Sequence, residues 1–236
     1  MKKKAKVSLK KRIFTFIETI SVLVPLFLLI VQPAAAQNLQ NFTIDSFTSE
    51  YHLSRNSENV AQLKVKETIS ATFPAANQNH GIIRAIPLTY NKNDLQLKLG
   101  SVRNEHGEKL SFSESSSNGN KLLKIGDPDI TVEGQHIYVI EYTMSNVVRS
   151  FDDHDEFYWD INGDQWQQPI TSVDTTIYID DPSIAASIND TKACYAGSYG
   201  EKDTACTIAI EKDGDEAVIK SAANNGLQSG QTLSIV

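Results

Sequence analysis

The stretch Val60–Phe73, VAQLKVKETISATF, decides the fold class because its hydrophobic residues recur at every second position. A period of two places successive side chains on opposite faces of a β-strand, one facing a core and the other facing water. The apolar row consists of Leu63, Val65, Ile69, Ala71 and Phe73. Glu67 is the single charged residue on this row, so the pattern predicts a strand with one acidic group directed toward the core.

The same alternation recurs along the chain. Asp94–Val102 and Val173–Asp180 alternate in the same way, and Gln135–Met144 is apolar on both faces, which is typical of a central strand covered on both sides. Pairs such as Asn162-Gly163 and Asp213-Gly214 separate the strands as turns. We therefore predict an all-β, β-sandwich-like antiparallel domain. A split into two smaller β units near Asp181-Pro182 is the alternative architecture.

Residues 1–36 have the organisation of an export signal. Seven basic residues and one acidic residue lie in this segment, and Ile20–Val31 carries no charge. Small residues at Ala34 and Ala36 fit the A-x-A rule for cleavage, so we expect a cleavable signal peptide and a mature chain that begins at Gln37. The alternative is an uncleaved anchor that starts at Ile13. Both interpretations export residues 37–236, because the basic end stays inside the cell.

The remaining 200 residues are strongly acidic, with 15 basic and 28 acidic side chains. Such a surface repels phosphate backbones, so we expect no nucleic-acid partner. The composition also excludes a collagen-like chain, a coiled coil and disorder over most of the length. The chain ends in Leu233–Val236, which has the pattern of a beginning strand. We therefore expect that the sequence is truncated at Val236 and that more polypeptide follows in the full-length protein.

The two cysteines, Cys194 and Cys206, have no further Cys or His residues arranged around them as a zinc site requires. In an exported protein an even pair of cysteines most simply forms a disulfide. We predict this bond, which would close a Gly/Ser-rich loop. Two reduced thiols in a poorly oxidising envelope are the alternative.

Glu67 and Arg84 are two charged residues at positions that the pattern assigns to the interior. A lone buried carboxylate costs several kcal/mol, so it needs a cationic partner. Arg84 lies in the unusually apolar segment His80–Pro87, HGIIRAIP. We predict a structural ion pair between Glu67 and Arg84. The alternative is that both side chains reach solvent separately.

The densest acidic region, which begins at Asp152, suggests one metal site. Asp160, Asn162 and Asp164 supply oxygen ligands at the 1, 3, 5 spacing of a calcium loop, and Ca²⁺ is the only cofactor that the sequence suggests. Gln165 and Thr171 then stand where an EF-hand has its glycine and its closing glutamate. A solvated acidic loop and a glycosidase pair of carboxylates are the alternatives.

Trp166 is the candidate ligand-binding aromatic, because exposed tryptophans on secreted β domains can stack on sugar rings. Its alternative is a core position, as we expect for Phe157, Trp159 and Ile161 on one face of a strand. The five histidines are scattered, and the sequence contains no nucleophile elbow, Walker loop or HExxH motif. We therefore predict no catalytic residues and no enzyme activity.

Several strings in a fixed order resemble a bacterial family of predicted membrane proteins built on domain of unknown function 2207. The similarity covers most of residues 40–236. The strings are KETI (66–69), HGIIRAIP (80–87), KIGDPD (124–129), GQHIYVIEY (134–142), DEFYWDING (155–163), and Trp166 with Pro169-Ile170.

The resemblance implies an extracytoplasmic β-rich domain that transmembrane helices follow in other members, and it implies no activity or cofactor. The family often has other residues at the positions of Asp160 and Asp164, which weakens the calcium interpretation. We expect a non-catalytic extracytoplasmic module of a membrane-anchored cell-envelope protein, with an envelope protein or surface polymer as partner. A secreted carbohydrate- or calcium-dependent surface-binding domain is the alternative.

Overall fold

Two layers of β-structure build the domain in the computed structural model, which describes residues 40–202 and 205–236. These residues belong to one compact unit. The predicted signal peptide, residues 1–36, lies outside the described residues. In chain order the strands are β1 (Thr43–Arg55), β2 (Ala61–Phe73), β3 (Ile82–Pro87), β4 (Thr89–Tyr90), β5 (Asn93–Asp94), β6 (Lys98–Arg103), β7 (Phe112–Ser117), β8 (Asn120–Ile125), β9 (Gly134–Ser145), β10 (Arg149–Ser150), β11 (Asp155–Glu156), β12 (Trp159–Asp160), β13 (Val173–Ile179), β14 (Cys194–Gly197), β15 (Cys206–Asp213), β16 (Glu216–Ala223) and β17 (Thr232–Ile235). A short helix, α1 (Pro182–Ser187), follows β13.

The larger layer is a seven-stranded sheet with the order β15-β16-β13-β1-β2-β9-β6. The all-β prediction is confirmed, and the strand pairs of this sheet are antiparallel with one exception. β1 and β13 run parallel, with Phe47 opposite Val173. A parallel pair needs a long crossover connection, which the many residues between these two strands provide.

Two three-stranded sheets, β3-β8-β7 and β12-β17-β14, form the second layer. Arg84 of β3 reaches the inner face of the large sheet, where it binds Glu67 of β2. The segment that follows β12 reaches the same face, where the Trp166 ring packs edge-on to Phe47 of β1. The apolar row predicted for β2 is buried between the layers. On the opposite row Lys64, Lys66 and Thr72 are exposed, whereas Ser70 is buried.

The prediction for Asp94–Val102 is correct only in its second half. β6 begins at Lys98, because the backbone of Gln96 has a positive φ of 49° and breaks the strand. Leu95 is fully buried ahead of this break. Alternation alone therefore identified the apolar side chains but not the point at which the chain leaves the sheet.

The predicted disulfide between Cys194 and Cys206 is confirmed, with the two Cα atoms 6.1 Å apart. It joins the first residue of β14, in the second layer, to the first residue of β15, at the edge of the large sheet. The bond therefore links the two layers. In the chain-entropy model a loop of this size contributes about 3 kcal/mol to stability.

Asp181-Pro182 marks the start of helix α1 within this unit. The Asp181 carboxylate caps the helix by accepting hydrogen bonds from the backbone N–H groups of Ser183 and Ile184. β13 precedes this point and β16 follows it, and these two strands are neighbours in the large sheet. The segments before and after Asp181-Pro182 therefore share one sheet.

Candidate functional site

The most unusual feature of the core is a buried ion pair between Glu67 and Arg84. Glu67 is completely buried and Arg84 is 3% exposed. Arg84 donates from Nε to Glu67 Oε2 at 2.8 Å and from Nη2 to Oε1 at 2.7 Å, which is a bidentate arrangement. The structure thus brings together the two residues that the sequence pattern paired, and neither reaches solvent.

Tyr142 of β9 is the third member of this cluster. Its hydroxyl donates to Glu67 Oε1 at 2.7 Å, so the carboxylate accepts three hydrogen bonds from side chains. The remaining terminal nitrogen of Arg84, Nη1, donates to the carbonyl oxygen of Ala85. Each charge therefore has polar partners, which a buried ion pair needs if its desolvation cost is to be offset.

Aromatic rings surround the guanidinium group of Arg84. Its central carbon lies 5.4 Å from the centroid of the Phe47 ring and 6.0 Å from that of Trp166, distances at which a cation is attracted by a ring. Trp166 donates from Nε1 to the carbonyl oxygen of Asn162 at 2.9 Å, and Tyr51 donates to the carbonyl of Ile161 at 3.1 Å. The cluster therefore fixes the segment 161–166 against β1.

The electrostatics of the cluster favour one protonation state. Burial lowers the pKa of Arg84, but the charge of Glu67 and its hydrogen bonds more than offset this, so the pKa lies above its usual value. Burial, followed by the charge of Glu67, raises the pKa of both Tyr51 and Tyr142 well above the usual range. Near neutral pH the arginine stays charged and the two phenols stay neutral.

Asn162 uses both ends of its side-chain amide in hydrogen bonds within the protein. Its Oδ1 accepts from the backbone N–H of Leu233 at 2.9 Å and from the Thr232 hydroxyl at 3.3 Å, and its Nδ2 donates to the carbonyls of Gly163 and Gln231. The hydrogen bonds of the amide thus connect Asn162 to β17 and to the turn that precedes β17.

The predicted calcium ligands gain no support from this geometry. Asp160 accepts a hydrogen bond from the Ser234 hydroxyl, Asp164 lies in an exposed turn, and the oxygen of Asn162 is already used. Among residues 40–202 and 205–236, no three His, Cys, Asp or Glu side chains are grouped as a metal site would require. Asn162-Gly163 also does not close a hairpin, because β12 pairs with the distant β17.

Trp166 requires a correction. The sequence suggested a ligand-binding aromatic, but Trp166 is only 5% exposed and its ring packs edge-on to Phe47 at 6.5 Å between centroids. A sugar ring cannot stack on a side chain whose faces are covered by the core. The alternative interpretation, a core position, is therefore the correct one, and it depends on contact with a strand more than 100 residues earlier in the chain.

Two glycines allow a close crossing of backbones beside the cluster. A Cβ atom at Gly81 would lie 1.9 Å from the carbonyl oxygen of Ile125, and one at Gly126 would lie 1.7 Å from that of His80. Both glycines also have positive φ angles, of 121° and 134°. No side chain fits at either position, so these glycines are required for the contact between β3 and β8.

A cleft of about 930 Å³ opens at one end of the two layers. Its floor includes Ile179, Ile208 and Ile219 of the large sheet, and its rim includes Asp153 and His154 of the loop between β10 and β11. This volume is typical of ligand-binding pockets, although the rim is wide. None of the sequence-predicted site residues lines the cleft.

Four residues from the strings that suggested a family meet in the core, and two glycines from these strings form a backbone crossing. Glu67, Arg84, Tyr142 and Trp166 belong to the cluster, and Gly81 and Gly126 form the backbone crossing. The model of the predicted membrane protein (DUF2207) N-terminal domain matches residues 43–228. This chain belongs to that family. The strings that carried the resemblance therefore include residues that hold the core of this DUF2207 domain together.

Solved structures resemble the DUF2207 domain only weakly. An M1 zinc metallopeptidase from Deinococcus radiodurans aligns with 82% of this chain and 42% of its own, at 10% identity and a TM-score of 0.43. Leukotriene A4 hydrolase from Saccharomyces cerevisiae aligns with 86% of this chain and 31% of its own, at 8% identity and a TM-score of 0.46. This chain thus spans less than half of either enzyme, and at these scores the likeness supports no functional argument.

No curated protein matches the DUF2207 chain. Within the described residues, no helix combines the length and the apolar character that crossing a bilayer requires.

Proposed function

We propose that this DUF2207 domain is a non-catalytic extracytoplasmic module of a membrane-anchored cell-envelope protein, and that it binds an envelope protein or a surface polymer. The disulfide between Cys194 and Cys206 is the observation that carries the proposal. Disulfides persist in oxidising compartments outside the cytoplasm and are rare inside it. The family description, a predicted membrane protein, supports the anchoring.

The leader sequence supports export independently of the disulfide. Residues 1–36 combine a basic start, the charge-free run Ile20–Val31 and small residues at Ala34 and Ala36. This is the order in which a secretory signal places its three regions. The disulfide and the leader are far apart in sequence and rest on different chemistry, yet both favour the same compartment.

The charged groups of the buried cluster make their hydrogen bonds within the protein, and this supports a non-catalytic role. A general acid or base must reach a substrate, directly or through one water. Glu67 is fully buried and accepts hydrogen bonds from Arg84 and Tyr142, so these hydrogen bonds stabilise the fold.

The proposal includes no cofactor, and an unchanged melting temperature on addition of millimolar Ca²⁺ would agree with this.

Export can be tested with reporter fusions. We expect the 236-residue chain, fused at its C-terminus to alkaline phosphatase, to be active in a bacterial host, whereas a fusion to β-galactosidase should be inactive. The matched control replaces Leu26 and Leu28 with arginine, which interrupts the apolar run and should reverse both results. Alkaline phosphatase activity that survives this change, or β-galactosidase activity of the native fusion, would contradict export.

The state of the cysteines provides a second test on the same material. Alkylation of the exported chain without reduction should add no label, and alkylation after reduction should label two thiols. Mass spectrometry should also show a chain that begins at Gln37. Two thiols that react without reduction in the isolated protein would remove the observation on which the proposal rests.

A further inference from the structure

The two edges of the seven-stranded sheet differ in their protection. At one edge, β6 carries Lys98 and Arg103 and contains an irregularity between Leu99 and Ser101. Charged residues and bulges are the means by which proteins prevent a free edge from pairing with another chain. At the other edge, β15 carries its charged residues, Glu211, Lys212 and Asp213, only in its last three positions, and the run Thr207–Ile210 before them is uncharged. No other described strand pairs with its second side.

The register of β15 with β16 determines which backbone groups face this free edge. The Asn224 N–H donates to the carbonyl of Ala205, and Asp213 lies opposite Glu216 across a two-residue turn. In an antiparallel pair, hydrogen-bonded positions alternate along the strand. The odd-numbered residues of β15 therefore bond to β16, and the N–H and C=O groups of Ile208 and Ile210 point outward.

The side chains of β15 divide between the two faces of the sheet. Ile208 and Ile210 are half-buried and line the apolar floor of the cleft, whereas Thr207 and Ala209 are exposed on the outer face. An added strand would thus find hydrogen-bonding groups along the edge. It would also find an apolar surface on one side.

We propose that a second copy of this chain occupies this edge, with the two β15 strands antiparallel across a two-fold axis that passes beside Ala209. In this register Ile208 lies opposite Ile210 of the other copy, and Thr207 lies opposite Glu211. Apolar residues meet on the inner face, and no like charges are opposed. The contact is self-complementary, as a closed two-fold dimer requires.

The neighbouring register supports this choice. A shift that centres the axis on Ile210 keeps each side chain on its face, but it places Ile208 opposite Lys212 of the other copy. It also pairs the outward backbone groups of only Ile208, Ile210 and Lys212, whereas the register centred on Ala209 pairs those of Cys206 as well. The register centred on Ala209 therefore pairs more of the outward backbone groups of β15.

The charge of the domain predicts how this dimer responds to salt. Residues 37–236 contain 15 basic and 28 acidic side chains, so two copies repel each other. Salt screens this repulsion, with a Debye length of about 10 Å at 0.1 M. The dimer fraction should therefore rise as sodium chloride is added, in contrast to an interface held by opposite charges.

Sedimentation velocity of the purified chain that ends at Val236 tests the proposal. We expect a dimer in the native protein and monomers for Ala209→Lys and for Ala209→Glu, because each places like charges opposite one another on the axis. Mixing the two variants should restore a dimer. Ser115→Lys, at an exposed position on the edge strand β7, is the matched control and should leave the dimer intact. A native protein that remains monomeric at every concentration and salt level would overturn the proposal.

Cross-linking tests the register. In a non-hydrogen-bonded antiparallel pair the Cα atoms are about 4.5 Å apart, within the range that a disulfide spans. Ala209→Cys should therefore form a covalent dimer on mild oxidation, as judged on a non-reducing gel. Thr207→Cys should not, because its two copies lie about 13 Å apart along the strands. Equal cross-linking of both variants, or none at residue 209, would contradict the register.

Discussion

Strand β2 carries two ion pairs on its two faces, formed by neighbouring residues. Lys66 reaches Glu50 at 3.0 Å on the outer face, where both side chains are close to half exposed. Glu67 binds Arg84 at 2.7 Å on the inner face, where neither side chain reaches water. The charges and distances are similar, but the solvent differs. The inner pair is also bidentate and has Tyr142 as a third member, but burial is the largest difference between the two pairs.

The two pairs should respond very differently when one partner is removed. In water each charge is solvated whether or not its partner is present, so an exposed pair contributes little. In the core, loss of one partner leaves the other charge without solvent or counter-ion. The inner pair should therefore be the more sensitive to mutation, even though it need not contribute more net stability.

The largest effect is expected from Glu67→Gln. This change keeps the shape of the side chain but leaves the guanidinium of Arg84 buried without its carboxylate. Unfolding in urea should show a loss of about 3–5 kcal/mol. A loss below about 1 kcal/mol would mean that water reaches Arg84, contrary to its burial.

The double variant Glu67→Leu with Arg84→Met should be more stable than either single variant. It removes both charges and fills the space with apolar groups, and such replacements of buried pairs are often neutral or stabilising. A thermodynamic cycle from urea unfolding of the two single variants and the double variant would measure the coupling. If the losses of the single variants simply add, the two side chains do not interact in the way that the structure shows.

Tyr142→Phe should have an intermediate effect. It removes the hydroxyl that donates to Glu67 and leaves both charges of the inner pair in place. A hydrogen bond to a charged group contributes about 1.5–3 kcal/mol, so a loss in this range is expected from urea unfolding. Tyr199→Phe is the matched control, because Tyr199 is 97% exposed and its substitution should leave stability unchanged.

The buried tyrosines also predict how stability depends on alkaline pH. Burial raises the pKa of Tyr51, Tyr138 and Tyr142 in the folded state. A raised pKa gives stability that is fully present below the unfolded value, about 10, and is lost as pH rises toward the folded value. Urea unfolding across this window should show a falling stability for the native protein and a shallower fall for Tyr142→Phe. Equal slopes would mean that Tyr142 ionises in the folded state.

The smallest effect is expected on the outer face of β2. Glu50→Gln removes the carboxylate that Lys66 reaches, and the free energy of unfolding should change by less than about 0.5 kcal/mol. Added salt should reduce even this difference, because it screens exposed charges. A loss comparable to that of Glu67→Gln would show that exposure does not separate the two pairs.

The sequence predicted the inner pair because Glu67 interrupts a clear apolar row, and a buried acid needs a cation. It did not predict Tyr142 as a partner, because a tyrosine is common on an apolar row and the alternation pattern gives no information about the partner of its hydroxyl. The role of Asn162 was also missed. Its oxygen looked available for a metal, and only the pairing with β17 reveals that Leu233 and Thr232 already use it.

Features that depend on distant parts of the chain were the least predictable. Alternation identifies strands but gives no order for them, so the parallel pairing of β1 with β13 had no local signal. The burial of Trp166 similarly depends on Phe47 of β1. The two cysteines were an exception, because their compartment and their isolation from other metal ligands left few chemical alternatives.

The parallel pairing of β1 with β13 bears on the order in which the chain folds. β1 appears early in synthesis and finds β2 at once, but its other side has no partner until β13 has been made. β12 likewise cannot pair until β17 has been made. Such late, non-local closures slow folding and leave strand edges open to other chains. A chain that emerges gradually would therefore expose the open side of β1 until β13 has followed it.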